Sequence, residues 1–286
     1  RIGKRKTMSD ATPDQTPGPA ERPRRLRRGL RVMPINKMIP NMLTLGALAS
    51  GMTGMRFALH ERWEAAAFAI LIAAILDTLD GRVARLLKGS SKFGAELDSL
   101  SDFICFGVAP AMILYHWALE DAGRFGWFIV VLFAMCCAMR LALFNTMLED
   151  DKKPVWAGRF FTGVPAPAGA GLVLLPMILS FQVPEDYVGY LQNPYLVSVV
   201  LIACGGLFVS TLPTFSFKNM KMARAWMMPL MIAVAILAAF VVSDPWLALT
   251  AILVLYLASF PLSIRSYLWH KSRSTNPVPA PGPTSD

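Results

Sequence analysis

Eight apolar stretches, near residues 39–59, 65–79, 100–119, 127–144, 164–181, 195–212, 226–242 and 246–264, take up most of the chain between its two ends. Several approach the length that crosses a bilayer core about 30 Å thick. No water is available there to satisfy backbone N–H and C=O groups, and helices satisfy their own. The fold expected is an all-α integral membrane protein of about eight transmembrane helices. Composition agrees, since 55% of residues are hydrophobic and only 16% are charged, outside the range of ordinary soluble domains.

The basic residues set the orientation. With an even number of helices both termini share one side, and 24 of the 28 Lys and Arg fall there, including eleven ahead of the first helix and four between the second and third. Arg56, Arg62 and Arg124 fall on the other side, and Arg140 lies within the fourth helix. The positive-inside rule then places both termini in the cytoplasm.

Against this apolar background stand four aspartates, Asp77, Asp80, Asp98 and Asp102, in the pattern D-x2-D-G-x2-A-R-x8-G-x3-D-x3-D. A carboxylate at mid-membrane depth costs roughly 2.5 to 3.5 kcal/mol, so four unpaired ones would cost about 10 kcal/mol. Asp77, Asp80, Gly81, Ala84 and Arg85 recur at the spacing of one helix face, and Asp98 and Asp102 at i and i+4 share a face of the next helix. Residues 86–95 between them read as a polar connection. The two acidic faces can therefore meet at one cytoplasmic membrane surface.

Several carboxylates with no His or Cys nearby suit Mg²⁺ or Mn²⁺ rather than zinc, and two such ions would neutralise the cluster and leave positions for a substrate phosphate. Gly81 and Ala84 keep the helix surface shallow for a bulky ligand. Arg85 supplies a fixed cation for phosphate. The competing reading is an interfacial salt-bridge cluster with Arg82, Arg85, Lys88 and Lys92.

These residues resemble the signature of the CDP-alcohol phosphotransferases, integral membrane enzymes, and every specified position matches, with eight residues between Arg85 and Gly94. The resemblance implies that family's fold and transfer of a phosphoalcohol from a CDP-linked donor to an acceptor hydroxyl, with release of CMP. It implies Asp77, Asp80, Asp98 and Asp102 as ligands of two divalent ions, with Asp102 also the general base. Asn41, Thr44, Gly81, Ala84, Arg85 and Gly94 become the donor-binding residues, and a homodimer is the oligomeric state implied.

Three further segments bear on the acceptor. Residues 39–44 open the first helix with Asn41 and Thr44 on one face. Residues 136–145 put Arg140 inside the fourth helix, where an arginine needs an anionic partner. Residues 160–170, F-F-T-G-V-P-A-P-A-G-A, carry a glycine and two prolines that break the helix start. Together they resemble the bacterial branch of the family whose acceptor is L-serine, over roughly residues 40–170. One departure is Leu143, where that branch has a second arginine.

That likeness implies attack of the serine hydroxyl on CDP-diacylglycerol, giving phosphatidylserine and CMP at the cytoplasmic face of a bacterial inner membrane, with Arg140 holding either the serine carboxylate or the donor phosphate. The alternatives are another acceptor (glycerol 3-phosphate, inositol phosphate or choline), an intramembrane prenyltransferase, for which a second distant aspartate motif is missing, and an ion-coupled transporter, for which there is no repeat.

Residues 1–33 are basic, Pro-rich and expected to be disordered, with arginines available to anionic lipid headgroups or acting only as a topology determinant; no nucleic-acid partner is expected. Residues 34–271 form the catalytic membrane domain, and 272–286 a flexible Pro-rich tail. Cys105, Cys136, Cys137 and Cys204 lack metal spacing and read as reduced packing residues.

Overall fold

The computed structural model describes residues 35–87, 89, 91–148, 160–162, 164–210, 213–215 and 227–275. The basic segment 1–33, Lys88, Gly163 and the end of the tail lie outside the described residues. The chain folds as α1 (Ile35–Ala58), α2 (Trp63–Leu86), α3 (Lys92–Asp102), α4 (Ala109–Leu114), α5 (Gly123–Leu148), α6 (Ala166–Ser180), α7 (Glu185–Leu191), α8 (Pro194–Val209), α9 (Met227–Ser243) and α10 (Pro245–Thr275). Each of the eight apolar stretches coincides with a helix, the third with the limb from α3 through α4. The final helix runs on to Thr275, past the expected start of the tail.

One departure from an all-helical chain is a short antiparallel pairing of β1 (Phe160–Thr162) with β2 (Pro213–Phe215). It ties the segment ahead of α6 to the segment after α8.

Turns of π-helix, Phe103–Val108 and Tyr115–Leu119, flank α4. Pro110 stands at the start of α4, where it can donate no hydrogen bond and its ring crowds the turn before it. A widened turn relieves that crowding, and it begins at the residue after Asp102.

By length and composition the helical run Lys92–Thr146 can cross a membrane, and the bent pair Glu185–Leu191 with Pro194–Val209 would make a second such span. At 1.5 Å per residue, a straight run of 55 residues would reach about 80 Å. It does not stay straight, because it reverses around Gly123, whose φ of 55° is ordinary only for glycine. A Cβ on Gly107 would sit 3.0 Å from the Cys137 sulfur, and the Asn145 amide donates to Ser99 Oγ at 2.9 Å, in the same antiparallel register. The run is thus a helical hairpin whose limbs match the third and fourth apolar stretches. Helix α2 is also 24 residues long, but it carries Glu64, Asp77, Asp80, Arg82 and Arg85.

Helix α1 fixes the relation of α2 to α3. Ser50 Oγ donates to the Ala69 carbonyl at 2.8 Å on one side. On the other, Ser101 Oγ donates to the Thr44 carbonyl at 3.2 Å and the Cys105 thiol to the Ala47 carbonyl at 3.3 Å. Both acidic faces are thereby held beside the first half of α1. At the opposite end of the bundle Trp246 packs its ring on Phe68 at 4.6 Å and on Phe181 at 4.9 Å. Large apolar side chains point outward around the bundle, among them Phe128, Val199 and Leu255, each more than 60% exposed.

Candidate active site

The connection between the acidic helices is shorter than the polar stretch in the sequence suggests. Ser91 ends it: its hydroxyl accepts from the Gly94 N–H at 3.0 Å, so α3 starts at Lys92. That cap places Gly94 against α1, where an added Cβ would lie 2.9 Å from Asn41 Oδ1. Only a glycine leaves the Asn41 amide its place.

Carboxylate oxygens of Asp77, Asp98 and Asp102 lie within 4.8 Å of one another. Three anions this close repel by about 3 kcal/mol or more per pair at an effective dielectric near 20. No Lys or Arg among the described residues comes within ion-pair distance of them, and the one side-chain ion pair found there joins His116 to Glu120. The salt-bridge reading of the cluster therefore lacks its cations among the described residues. Asp102 Oδ1 is buried without a hydrogen-bond partner. Three hard oxygen donors at this spacing, one of them unsatisfied, fit a divalent cation of Mg²⁺ or Mn²⁺ size.

Asp80 stands apart from that trio. It is 4% exposed and its Oδ2 accepts a 2.6 Å hydrogen bond from Thr44 Oγ1. The same hydroxyl lies 3.1 Å from the Pro40 carbonyl, but its single proton favours the closer, charged acceptor. The structure thus assembles three of the four aspartates and anchors the fourth beside them on α1.

A cavity of about 700 Å³ opens alongside, lined by Pro40, Asn41, Thr44, Asp80, Gly81, Ala84, Arg85, Gly89, Ser91, Gly94, Ala95 and Asp98. All six residues expected on the donor side are in its wall. Gly81 leaves open space there, with no atom within 4 Å of an added Cβ. Asp98 belongs to both the cavity wall and the carboxylate trio, so the two regions adjoin.

Arg140 lies on α5 in the layer next to Asp102. Its Nη1 is buried without a hydrogen-bond partner, and its guanidinium stands 5.8 Å from the centre of the Phe208 ring on α8. Phe208 in turn fills the space over Gly169, where an added Cβ would collide with its ring. This gives residues 160–170 a role their composition did not reveal. Pro165 caps the start of α6, Pro167 sits in its first turn, and Gly169 admits the ring that supports Arg140. Leu143 is 47% exposed. Phe208 has no signal of its own in the sequence, because an aromatic in an apolar helix looks like any other packing residue.

The comparison with known proteins comes to the same place. A sequence profile for CDP-alcohol phosphatidyltransferases matches residues 37–209, which contain every residue of the trio, the cavity and Arg140. The chain belongs to the CDP-alcohol phosphatidyltransferase family. A second profile, CDP-alcohol phosphatidyltransferase 2, matches residues 225–261. A Mycobacterium tuberculosis protein named CDP-diacylglycerol–serine O-phosphatidyltransferase is 36% identical over 243 residues, 85% of this chain and 82% of that protein. Proteins of the same name are 37% identical over 227 residues in Helicobacter pylori, covering 79% of this chain and 91% of theirs, and 33% identical over 181 residues in Bacillus subtilis, covering 63% and 92%.

Proposed function

We propose that this family member transfers the phosphatidyl group of CDP-diacylglycerol to the hydroxyl of L-serine, yielding phosphatidylserine and CMP. The observation that carries the reaction class is the convergence of the whole D-x2-D-G-x2-A-R…G-x3-D-x3-D signature on one cavity and one carboxylate trio that share Asp98. The serine assignment is supported by the names of the relatives and by a half-buried arginine in the layer next to Asp102, whose buried Nη1 is a free donor for an acceptor carboxylate.

In this reading Asp77, Asp98 and Asp102 would hold one divalent ion, Mg²⁺ or Mn²⁺, and Asp80 would contribute to a second. Bound ions of this kind offset the charge of a diphosphate and of the departing CMP. The cytidine diphosphate lies along the cavity, against Gly81, Ala84 and Gly94, with Asn41 and Thr44 at its α1 side and Arg85 toward its phosphates. Asp102 takes the proton from the serine hydroxyl as its oxygen bonds to the phosphatidyl phosphorus and the bond from that phosphorus to CMP breaks. Thr44 acts through Asp80, holding its carboxylate in one orientation.

The eight helical stretches all cross the membrane in this reading, within a catalytic domain of residues 34–271. Supporting this are the outward apolar side chains and the aromatic cluster at the end away from the site, where Arg56, Arg62 and Arg124 also lie. The site then faces the cytoplasm of a bacterial inner membrane, and the active species is a homodimer, as the family resemblance implies.

The test is CMP release by membranes containing the protein, supplied with CDP-diacylglycerol and one acceptor at a time. Release is expected with L-serine. Release with glycerol 3-phosphate, inositol phosphate or choline, and none with serine, would overturn the acceptor assignment while leaving the reaction class standing.

A further inference from the structure

Among the described residues, four buried side-chain polar atoms have no hydrogen-bond partner: Asp102 Oδ1, Arg140 Nη1, Tyr256 Oη and Ser198 Oγ. Buried polar atoms are paired in the great majority of cases, so each orphan needs a reason. Ser198 stands near the other end of the bundle, beside Asp121 and Phe125. The other three come from three different helices, and the Arg140 guanidinium is in electrostatic reach of both the Asp102 carboxylate and the Tyr256 phenol.

The packing explains how α10 brings a tyrosine to this place. Two glycines of α6 admit side chains from its neighbours: Gly169 takes Phe208 from α8, and Gly171 takes Leu253 from α10, whose Cδ2 lies 2.8 Å from where a Cβ would be. Tyr256 follows Leu253 by three residues, on the same face of α10 and nearer the level of Phe208. Its ring is held edge-on against Phe260 at 5.0 Å, so the hydroxyl has little freedom to seek a partner elsewhere. Phe208, meanwhile, backs the Arg140 guanidinium.

We propose that Tyr256 and Arg140 together form the seat for the acceptor's carboxylate, the Tyr256 hydroxyl donating to one oxygen while the Arg140 guanidinium pairs with the other. The inference rests on the serine reading above and deepens it. A neutral phenol beside a guanidinium satisfies a single negative group by two converging donors, and the third orphan, Asp102 Oδ1, lies on the side where the acceptor's hydroxyl must lose its proton. The seat comes from α5 and α10 and the base from α3, which the Asn145–Ser99 hydrogen bond ties to α5. The same chemistry could bind the donor's phosphate, and the kinetics separate the two.

The experiment compares wild type with Tyr256→Phe, which keeps the ring against Phe260 and removes only the hydroxyl, measuring KM for L-serine and for CDP-diacylglycerol separately by CMP release. Loss of one hydrogen bond to a charged group is expected to raise the serine KM about 10- to 100-fold with the donor KM within twofold. An unchanged serine KM, or a rise confined to the donor KM, overturns the proposal. Thermal stability of the purified variant, monitored as monodispersity after heating, guards against a packing effect, and Tyr256→Leu, which also removes the ring, provides the contrast: a stability loss in Leu but not in Phe separates packing from recognition. If wild type releases CMP only with another acceptor, the serine reading fails; if wild type uses serine and the Phe variant is kinetically unchanged, only the Tyr256 assignment fails.

Discussion

Removing the Thr44 hydroxyl tests whether Asp80 is a working ligand or a passive wall. Thr44→Val is nearly isosteric and leaves Asp80 Oδ2 without its 2.6 Å donor at a site 4% exposed to solvent. Hydrogen bonds to charged groups contribute about 1.5–3 kcal/mol, which corresponds to roughly 10- to 100-fold in an equilibrium or rate constant. Should Asp80 contribute to a divalent ion, that loss falls on orientation of the carboxylate toward the ion. Titration of CMP release against Mg²⁺ should then show a higher half-saturating concentration together with a lower kcat/KM. Thr44→Ser restores the hydroxyl and should recover most of both. Identical metal titrations for wild type and Thr44→Val would refute the reasoning, since the bond would then only stabilise the α1–α2 contact. A fall in thermal stability without any kinetic change would refute it equally.

Three further outcomes follow from the geometry. Asp102→Asn should lower kcat by about 10²- to 10⁴-fold, while binding of CDP-diacylglycerol, followed by protection of the purified protein against thermal aggregation, largely persists; retained turnover removes Asp102 as the base. Gly94→Ala puts a methyl 2.9 Å from Asn41 Oδ1 and 3.2 Å from Ser91 Oγ, an overpacking worth about 1–3 kcal/mol, and should raise the KM for CDP-diacylglycerol but not for serine. Gly169→Ala drives a methyl into the Phe208 ring and should lower both stability and activity, and adding Phe208→Leu should restore stability more than activity, because Arg140 then lacks its aromatic support.

How much of this was legible in the sequence divides along a physical line. The Asp77–Asp102 pattern specified its own geometry because helical spacing converts positions into faces, and Asn41, Thr44, Gly81, Ala84, Arg85 and Gly94 all reached one cavity. The helices were legible because apolar length alone selects them. Contacts between helices distant in sequence were not. Nothing in residues 160–170 announces that Gly169 faces Phe208, and nothing around Tyr256 distinguishes it from the apolar helix that carries it. The separation of Asp80 from the other three aspartates was equally hidden, since spacing sets which face a residue is on but not which neighbour reaches it first. The π turn after Asp102 depends on Pro110, whose presence was visible but whose local outcome depends on the packing around it.

The leucine at 143 takes on a definite meaning in this setting. Positions 140 and 143 are neighbours on α5, yet Arg140 is backed by Phe208 with an unpaired donor inside the bundle, whereas Leu143 is 47% exposed. A second arginine three residues on would project at the outer edge of α5, next to the turn that holds Asn145 to Ser99, rather than between α5, α8 and α10. Its absence therefore leaves the inner group intact. What the chain loses is a rim cation, whose effect on a charged ligand falls on capture and is weakened by salt. What it keeps is a guanidinium whose free donor has no role in packing. Recognition of the acceptor, on this argument, depends on how many donors converge inside the bundle, and that number is set by α5 and α10 together rather than by the α5 motif alone.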